Sequence, residues 1–167
     1  MTEVCTKENP IGKKAKASGF MALVMSIAIP FTAHEEGLRT SAYLDSVGVA
    51  TICYGETEGV KMGDTKTKDE CTALFYTRLG FFYMSVRAMM LTDELHPKTW
   101  AALTSWAYNV GLGAVRRSTL RKLVNNNQFE KSCDELLKWK FAGGRPILLK
   151  RRERERLLCL EGINELK

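Results

Sequence analysis

Glu35-Glu36-Gly37-Leu38-Arg39-Thr40-Ser41-Ala42-Tyr43-Leu44-Asp45, followed after five residues by Thr51-Ile52-Cys53-Tyr54-Gly55, is the stretch on which the reading of this chain turns. An uncharged apolar run ends just before Glu36, and Gly37 breaks it. From there to residue 65 the texture changes. Glycines at 37, 48, 55, 59 and 63 punctuate short β-prone pieces such as SVGVATICYG, which predict a small hairpin sheet with tight turns. The spacing therefore puts one carboxylate at a helix end, a second nine residues later at the start of a hairpin, and a threonine six residues after that.

The rest of the chain reads as helix. Asp64-Thr65 and Thr67 supply candidate amino-terminal caps, and Cys71, Leu74, Phe75, Leu79 and Phe82 recur at helical spacing. Pro97 suits the first turn of KTWAALTSWAYNVG, with Trp100, Leu103, Ala107 and Val110 on one stripe and Gly111 and Gly113 as stops. Trp100 and Trp106 read as core residues. Shorter helices are expected around 118–126 and 129–141. Gly143-Gly144 then separates them from a basic final helix, LLKRRERERLLCLEGINEL. A hairpin lobe placed early and a helical lobe after it make an α+β fold with two lobes and a cleft between them.

Composition bounds the function. With 167 residues, 45% apolar and 26% charged, the chain can build one real core and is not a disordered polymer. Lys and Arg outnumber Asp and Glu by 25 to 19, a net charge of +6 that attracts polyanions without choosing among them. Residues 138–156 hold eight Lys or Arg and two Glu, but no nucleic-acid reader motif accompanies them. This run reads as a solvated helix face with i,i+4 pairs such as Arg151–Glu155, and nucleic acid is not an expected partner.

Cys5, Cys53, Cys71, Cys133 and Cys159 have no zinc-site spacing, and His34 and His96 are the two histidines. No metal or cofactor is expected. In an oxidising compartment up to two bridges form and one thiol is left over; in a reducing one all five stay free.

Residues 1–16 are polar and basic, with Lys7, Lys13, Lys14 and Lys16, and residues 17–33 carry no charge. Their apolar heart is GFMALVMSIAIPF, including Phe20, Leu23, Ile27 and Phe31 and preceded by Ala17. Seventeen residues is about the lower limit for a membrane-spanning helix. Gly19, Ser26, Pro30 and Thr32 dilute the run. Three readings stay open: a membrane anchor, a cleaved export signal, and a buried first helix.

Two carboxyls in unequal surroundings suit glycosidic cleavage, in which one donates a proton to the leaving oxygen and the other stays ionised. Glu36, after an apolar helix, is the candidate acid; Asp45, in a polar turn, is the ionised partner; Thr51 can hold the attacking water. The plainer alternative pairs Glu36 with Arg39 at i+3 and lets Asp45 cap a turn.

The surrounding letters go further. EGLRTSAYLDSVGVATICYGET resembles the active-site signature of phage-type lysozymes, glycoside hydrolase family 24. Ala101 to Gly111 resembles the family's central helix. Ser118-Thr119-Leu120 and the W…AGG…RR…E pattern of Trp139, Ala142-Gly143-Gly144, Arg151-Arg152 and Glu155 complete a likeness over roughly 34–162. TICYGET, TKDEC, CDEL and LLCLEG are similar to segments of the signal-anchor-release endolysins of lambdoid phages.

The resemblance implies a lysozyme-like fold and a muramidase cutting the β-1,4 bond between N-acetylmuramic acid and N-acetylglucosamine. It implies Glu36, Asp45 and Thr51 as catalytic residues and Tyr54, Tyr108 and Asn109 as substrate contacts. It implies a monomer made in the host cytoplasm, with a lysozyme domain over 34–167, held on the periplasmic side of the inner membrane by residues 1–33 until that segment leaves the bilayer and the protein refolds in the periplasm. A lytic transglycosylase at the same site and a non-catalytic wall-binding or virion module are the alternatives. Cys53 stands where the family commonly has glycine. It is a bridge partner, with Cys71 the expected one, a redox-coupled thiol, or a small buried residue. RPILLK lacks the family's usual glycine, and Cys5 has no counterpart.

Overall fold

Helix α1, Pro10–Glu36, carries the apolar run straight to the first carboxylate pair without a linker. The computed structural model describes residues 10–45 and 48–167, with side chains from Ser18 onward, so Cys5 and the Ala17 side chain lie outside the described residues. Helix α1 passes through Pro30, and across the expected boundary at 33/34, without interruption. Val24, Ala28 and Thr32, four residues apart, form its fully buried line, with Phe20, Met21, Met25, Ile27 and Ile29 half-buried beside it and Leu23 52% exposed. Phe31 is half-buried. Gly37, at φ +70°, ends the helix, and its N–H bonds the Ala33 carbonyl at 3.1 Å.

Strand β1, Arg39–Leu44, pairs antiparallel with β2, Ala50–Cys53, setting Tyr43 opposite Thr51 and Leu44 opposite Ala50. This two-stranded sheet is the small lobe. Helix α2, Lys68–Met89, starts at a capping box: the Thr67 hydroxyl accepts from the Glu70 N–H, and the Glu70 carboxylate accepts from the Thr67 N–H. It buries Cys71, Phe75, Leu79, Phe82, Tyr83 and Val86, while Leu74 is more than a third exposed.

Helix α3, Pro97–Val110, is the axis of the large lobe; every residue from Trp100 to Ala107 is buried, as expected of a helix surrounded on all sides. Helices α1 and α2 and the terminal helix α7, Leu149–Asn164, pack around it. Gly162 brings α7 so close that a Cβ there would lie 2.4 Å from Thr99 Oγ1. Gly111, at φ +80°, ends α3 as expected, but Gly113 is no stop. It lies inside a further short helix, α4, Leu112–Arg117. Helices α5, Thr119–Asn125, and α6, Phe129–Glu135, follow, and a 3₁₀ turn over Leu136–Trp139 closes the lobe. Disulfides join Cys53 to Cys71 and Cys133 to Cys159, tying β2 to α2 and α6 to α7.

The basic terminal run departs from a fully solvated face. Arg151, Arg152 and Glu155 are buried, because α7 has too few apolar residues at its contact with α3 and turns this charged triplet inward instead. The Arg151–Glu155 pair does form, at 3.0 Å, but inside the protein.

Candidate active site

Glu36 is the last residue of α1, and its side chain is 15% exposed. Two neighbours fix it. Arg151 Nη2 approaches its Oε1 to 2.8 Å. On the other side a Cβ at Gly55 would sit in contact with Oε2, at 3.4 Å, and Gly55 has φ +86°, a backbone conformation that calls for glycine. The 52–56 loop is held tight by reciprocal hydrogen bonds of 2.8 Å between Ile52 and Glu56, while Cys53 takes a left-handed φ of 59°.

The Tyr108 hydroxyl donates to the Tyr54 carbonyl at 2.8 Å, locking that loop onto α3. Both rings pack on Phe75, at 4.6 Å for Tyr54 and 5.7 Å for Tyr108. Burial, reinforced by the negative charges of Glu36 and Glu56, pushes the Tyr108 phenol well above its ordinary range. Asn109 is exposed at the end of α3, and its Oδ1 accepts a hydrogen bond from Arg152.

Behind Glu36 lies a buried charge network that sequence reasoning placed on the surface. Glu155, fully buried, accepts from Arg151 Nε at 3.0 Å, Arg152 Nη1 at 2.6 Å and Ser105 Oγ at 2.9 Å. Burial opposes the charge of Arg151, but Glu36 and Glu155 together outweigh it and hold its pKa above the usual value. The signal available beforehand was spacing: two arginines followed at i+3 and i+4 by one glutamate, on a helix otherwise poor in apolar residues. Next to this network Arg154 grips Glu35 through two bonds, of 2.6 and 2.7 Å. Burial works against the Glu35 charge, yet the bonds from Arg154 and the charges of Arg154, Arg151 and His34 overcome it and keep its carboxyl below the usual range.

Asp45 opens the β1–β2 turn. Its N–H bonds the Val49 carbonyl at 3.0 Å and its Oδ1 accepts the Val49 N–H at 2.8 Å. Thr51 is buried, and its hydroxyl donates to the same Val49 carbonyl at 3.0 Å. Asp45 and Thr51 thus share one anchoring residue, and the hairpin register fixes both. A groove of about 900 Å³ opens between the 56–66 loop and α2, lined by Glu56, Glu58, Val60, Leu74, Arg78 and Phe81 among others. It begins one residue beyond Gly55, and Glu36, Asp45 and Thr51 are not among its lining residues. Among the described residues no group of three or more His, Cys, Asp or Glu is placed to hold a metal ion.

The phage lysozyme family model matches residues 33–155, a span that includes the hairpin, α3 and the Arg151–Glu155 network. The chain belongs to the phage lysozyme family. Among its relatives in that family are SAR-endolysins of Bacteriophage PS119, 40% identical over 76% of this chain and 77% of the relative, and of Enterobacteria phage P21, 36% identical over 89% of this chain and 93% of the relative. A solved mutant of the P22 phage lysozyme superposes with a TM-score of 0.70 at 34% identity, covering 80% of this chain and 94% of that one. The two-lobed α+β architecture is that of phage lysozymes.

Proposed function

We propose that this phage lysozyme is an endolysin that hydrolyses the β-1,4 bond between N-acetylmuramic acid and N-acetylglucosamine in bacterial peptidoglycan, with Glu36 as the general acid. The observation that carries this reading is the position of Glu36: the tip of a helix with one buried face, set between the Gly55 turn and Arg151, mostly but not wholly shielded from water. A carboxyl in such a place can hold a proton and still reach a sugar oxygen. Asp45, in the hairpin turn, is the ionised partner. The Thr51 hydroxyl has its own proton committed to Val49, so its oxygen is free to accept. A water donating to Thr51 and losing its second proton to Asp45 is oriented for attack on the anomeric carbon. Tyr54, Tyr108 and Asn109 are the proposed substrate contacts. The enzyme works as a monomer, and its overall charge of +6 favours the anionic envelope.

Replacing Glu36 with Gln keeps the shape and removes the proton. Turbidity clearance of chloroform-treated Gram-negative cells should fall about 10²- to 10⁴-fold. Full clearance by that variant would remove the acid from position 36 and leave a wall-binding module. Mass spectrometry of the digested glycan separates the chemistries: a reducing muramic acid marks hydrolysis, and an anhydro end marks a transglycosylase.

The apolar part of α1 has a second life in this proposal. Residues 1–33 act first as an export segment held in the host inner membrane, on the periplasmic side, and the lysozyme domain of 34–167 becomes active in the periplasm when that segment leaves the lipid and packs as α1. Supporting this are the relatives named SAR-endolysins, the absence of charge over 17–33 and the absence of a linker before Glu36. Among the described residues no helix is long and apolar enough to cross a membrane. Deleting residues 1–28 should abolish lysis that depends on self-export; unaltered lysis by that variant would end the membrane role.

A further inference from the structure

Glu155 has no place in the chemistry just described, yet it is fully buried behind the residue that does. A carboxylate is taken from water at high cost unless charge and hydrogen bonds compensate. Here they do. Arg151 Nε, Arg152 Nη1 and Ser105 Oγ all donate to it. The guanidinium that meets Glu155 through Nε meets Glu36 through Nη2, and also donates to the Ser105 carbonyl at 3.2 Å. Arg151 is therefore a cation held between two carboxylates, with its orientation fixed from behind. Arg152 feels Glu36, Glu35 and Glu155 and ends on Asn109.

Counting charge shows what this arrangement does. Proton donation requires Glu36 to be neutral before the reaction. In that state Arg151 and Arg152 contribute two positive charges and Glu155 one negative charge. Without Glu155, two unopposed guanidiniums would face Glu36, one of them at 2.8 Å, and a cation that close favours the ionised carboxylate. An ionised Glu36 has no proton to give. We propose that Glu155 is a positioning residue for the acid: it fixes Arg151 against Glu36 and cancels half of the guanidinium charge behind it, so that less uncompensated positive charge faces the Glu36 carboxyl. This rests on the reading of Glu36 as the acid.

Among the described residues, the other groups near this centre include His34, 3.8 Å from Glu35. Arg154 lies on α7 and is bound to Glu35 of α1; Ser105, Tyr108 and Asn109 come from α3; Glu56 with Arg78 stands beyond Gly55. The Arg154 and Arg78 charges each have a carboxylate partner of their own, which leaves the Arg151–Arg152–Glu155 balance as the adjustable quantity.

The test is the pH profile of kcat/KM on peptidoglycan, measured on the full chain, because a purely structural salt bridge would change the amount of folded enzyme and not the position of a limb. In Glu155→Gln the alkaline limb should move to lower pH by roughly one to two units. In Arg152→Gln it should move to higher pH, since one of the opposing cations is gone. In the double variant it should return close to that of the unaltered enzyme. A limb that stays put in both single variants overturns the proposal, as does a shift of the same sign in both. Should Glu155→Gln fail to fold, the sign of the shift in Arg152→Gln decides alone: alkaline supports, unmoved or acidic overturns. Glu36→Gln run alongside separates the two readings. If it is active, the acid assignment itself is lost; if it is inactive while the limbs do not move, only the role of Glu155 is lost.

Discussion

Helices α1 and α7 both pack on α3, and they do so by opposite means. Helix α1 presents Val24 and Ala28, side chains that ask only for a dry surface of about the right shape, with a single buried hydroxyl, that of Thr32, beside them. Helix α7 presents Arg151, Arg152 and Glu155, and each of these needs a named partner at hydrogen-bond distance. An apolar face is content in any apolar medium, a lipid bilayer included, whereas a buried charge network is content only in the one arrangement that completes it. The helix that exchanges environments in the proposed life cycle is thus the undemanding one, and the helix that defines the finished site is the demanding one. They meet where Glu35 and Glu36 of α1 receive Arg154 and Arg151 of α7.

If that contrast is right, the largest loss should come from α7. Arg152→Met leaves Glu155 buried with one guanidinium fewer and should cost about 3–5 kcal/mol in urea unfolding. Next, Gly162→Ala forces a methyl against Thr99, with the Thr99 N also only 2.7 Å away, and should cost about 1–3 kcal/mol, read as a lower Tm. On α1 the matching change, Val24→Ala, empties a small dry volume and should cost about 2 kcal/mol by the same measurements; a loss equal to that of Arg152→Met would erase the distinction between the helices.

The smallest effect concerns pH. Glu35 has a folded-state pKa below its unfolded value, near the ordinary 4.5, because of its partners, chiefly Arg154. Its contribution is therefore present above that ordinary value and fades as pH falls through the lowered one. Glu35→Gln should lower Tm slightly at neutral pH and make its acid-side decline shallower, so that the two proteins converge at low pH. A steeper decline would mean that the pair is not what holds the α1–α7 junction.

Much of this was readable in advance because it rests on local rules. Thr67 is one of three cap candidates by residue type alone, Pro97 stands where a missing N–H costs nothing, and Gly111 ends α3 by turning left-handed. The hairpin and the E…D…T spacing are local as well. What escaped depends on distant parts of the chain. Gly113 looks like a second stop, but once Gly111 has turned the chain, helix α4 can begin and carry Gly113 inside it. Arg151 and Glu155 look like an exposed i,i+4 pair, and the pair exists; its burial is decided by Ser105, 46 positions from Arg151 and 50 from Glu155 along the chain. Pattern rules see which residues can pair and do not see which face another helix will cover.

Glu36 is the final residue of a continuous helix of 27 residues, so its place in space is set like the tip of a rod. Each residue of axial slip carries such a tip about 1.5 Å along and about 100° around the axis. The seating of Val24, Ala28 and Thr32 against α3 is therefore an alignment gauge for a proton several turns away. Any event that unseats them disarms the enzyme without touching a single atom of its reactive centre.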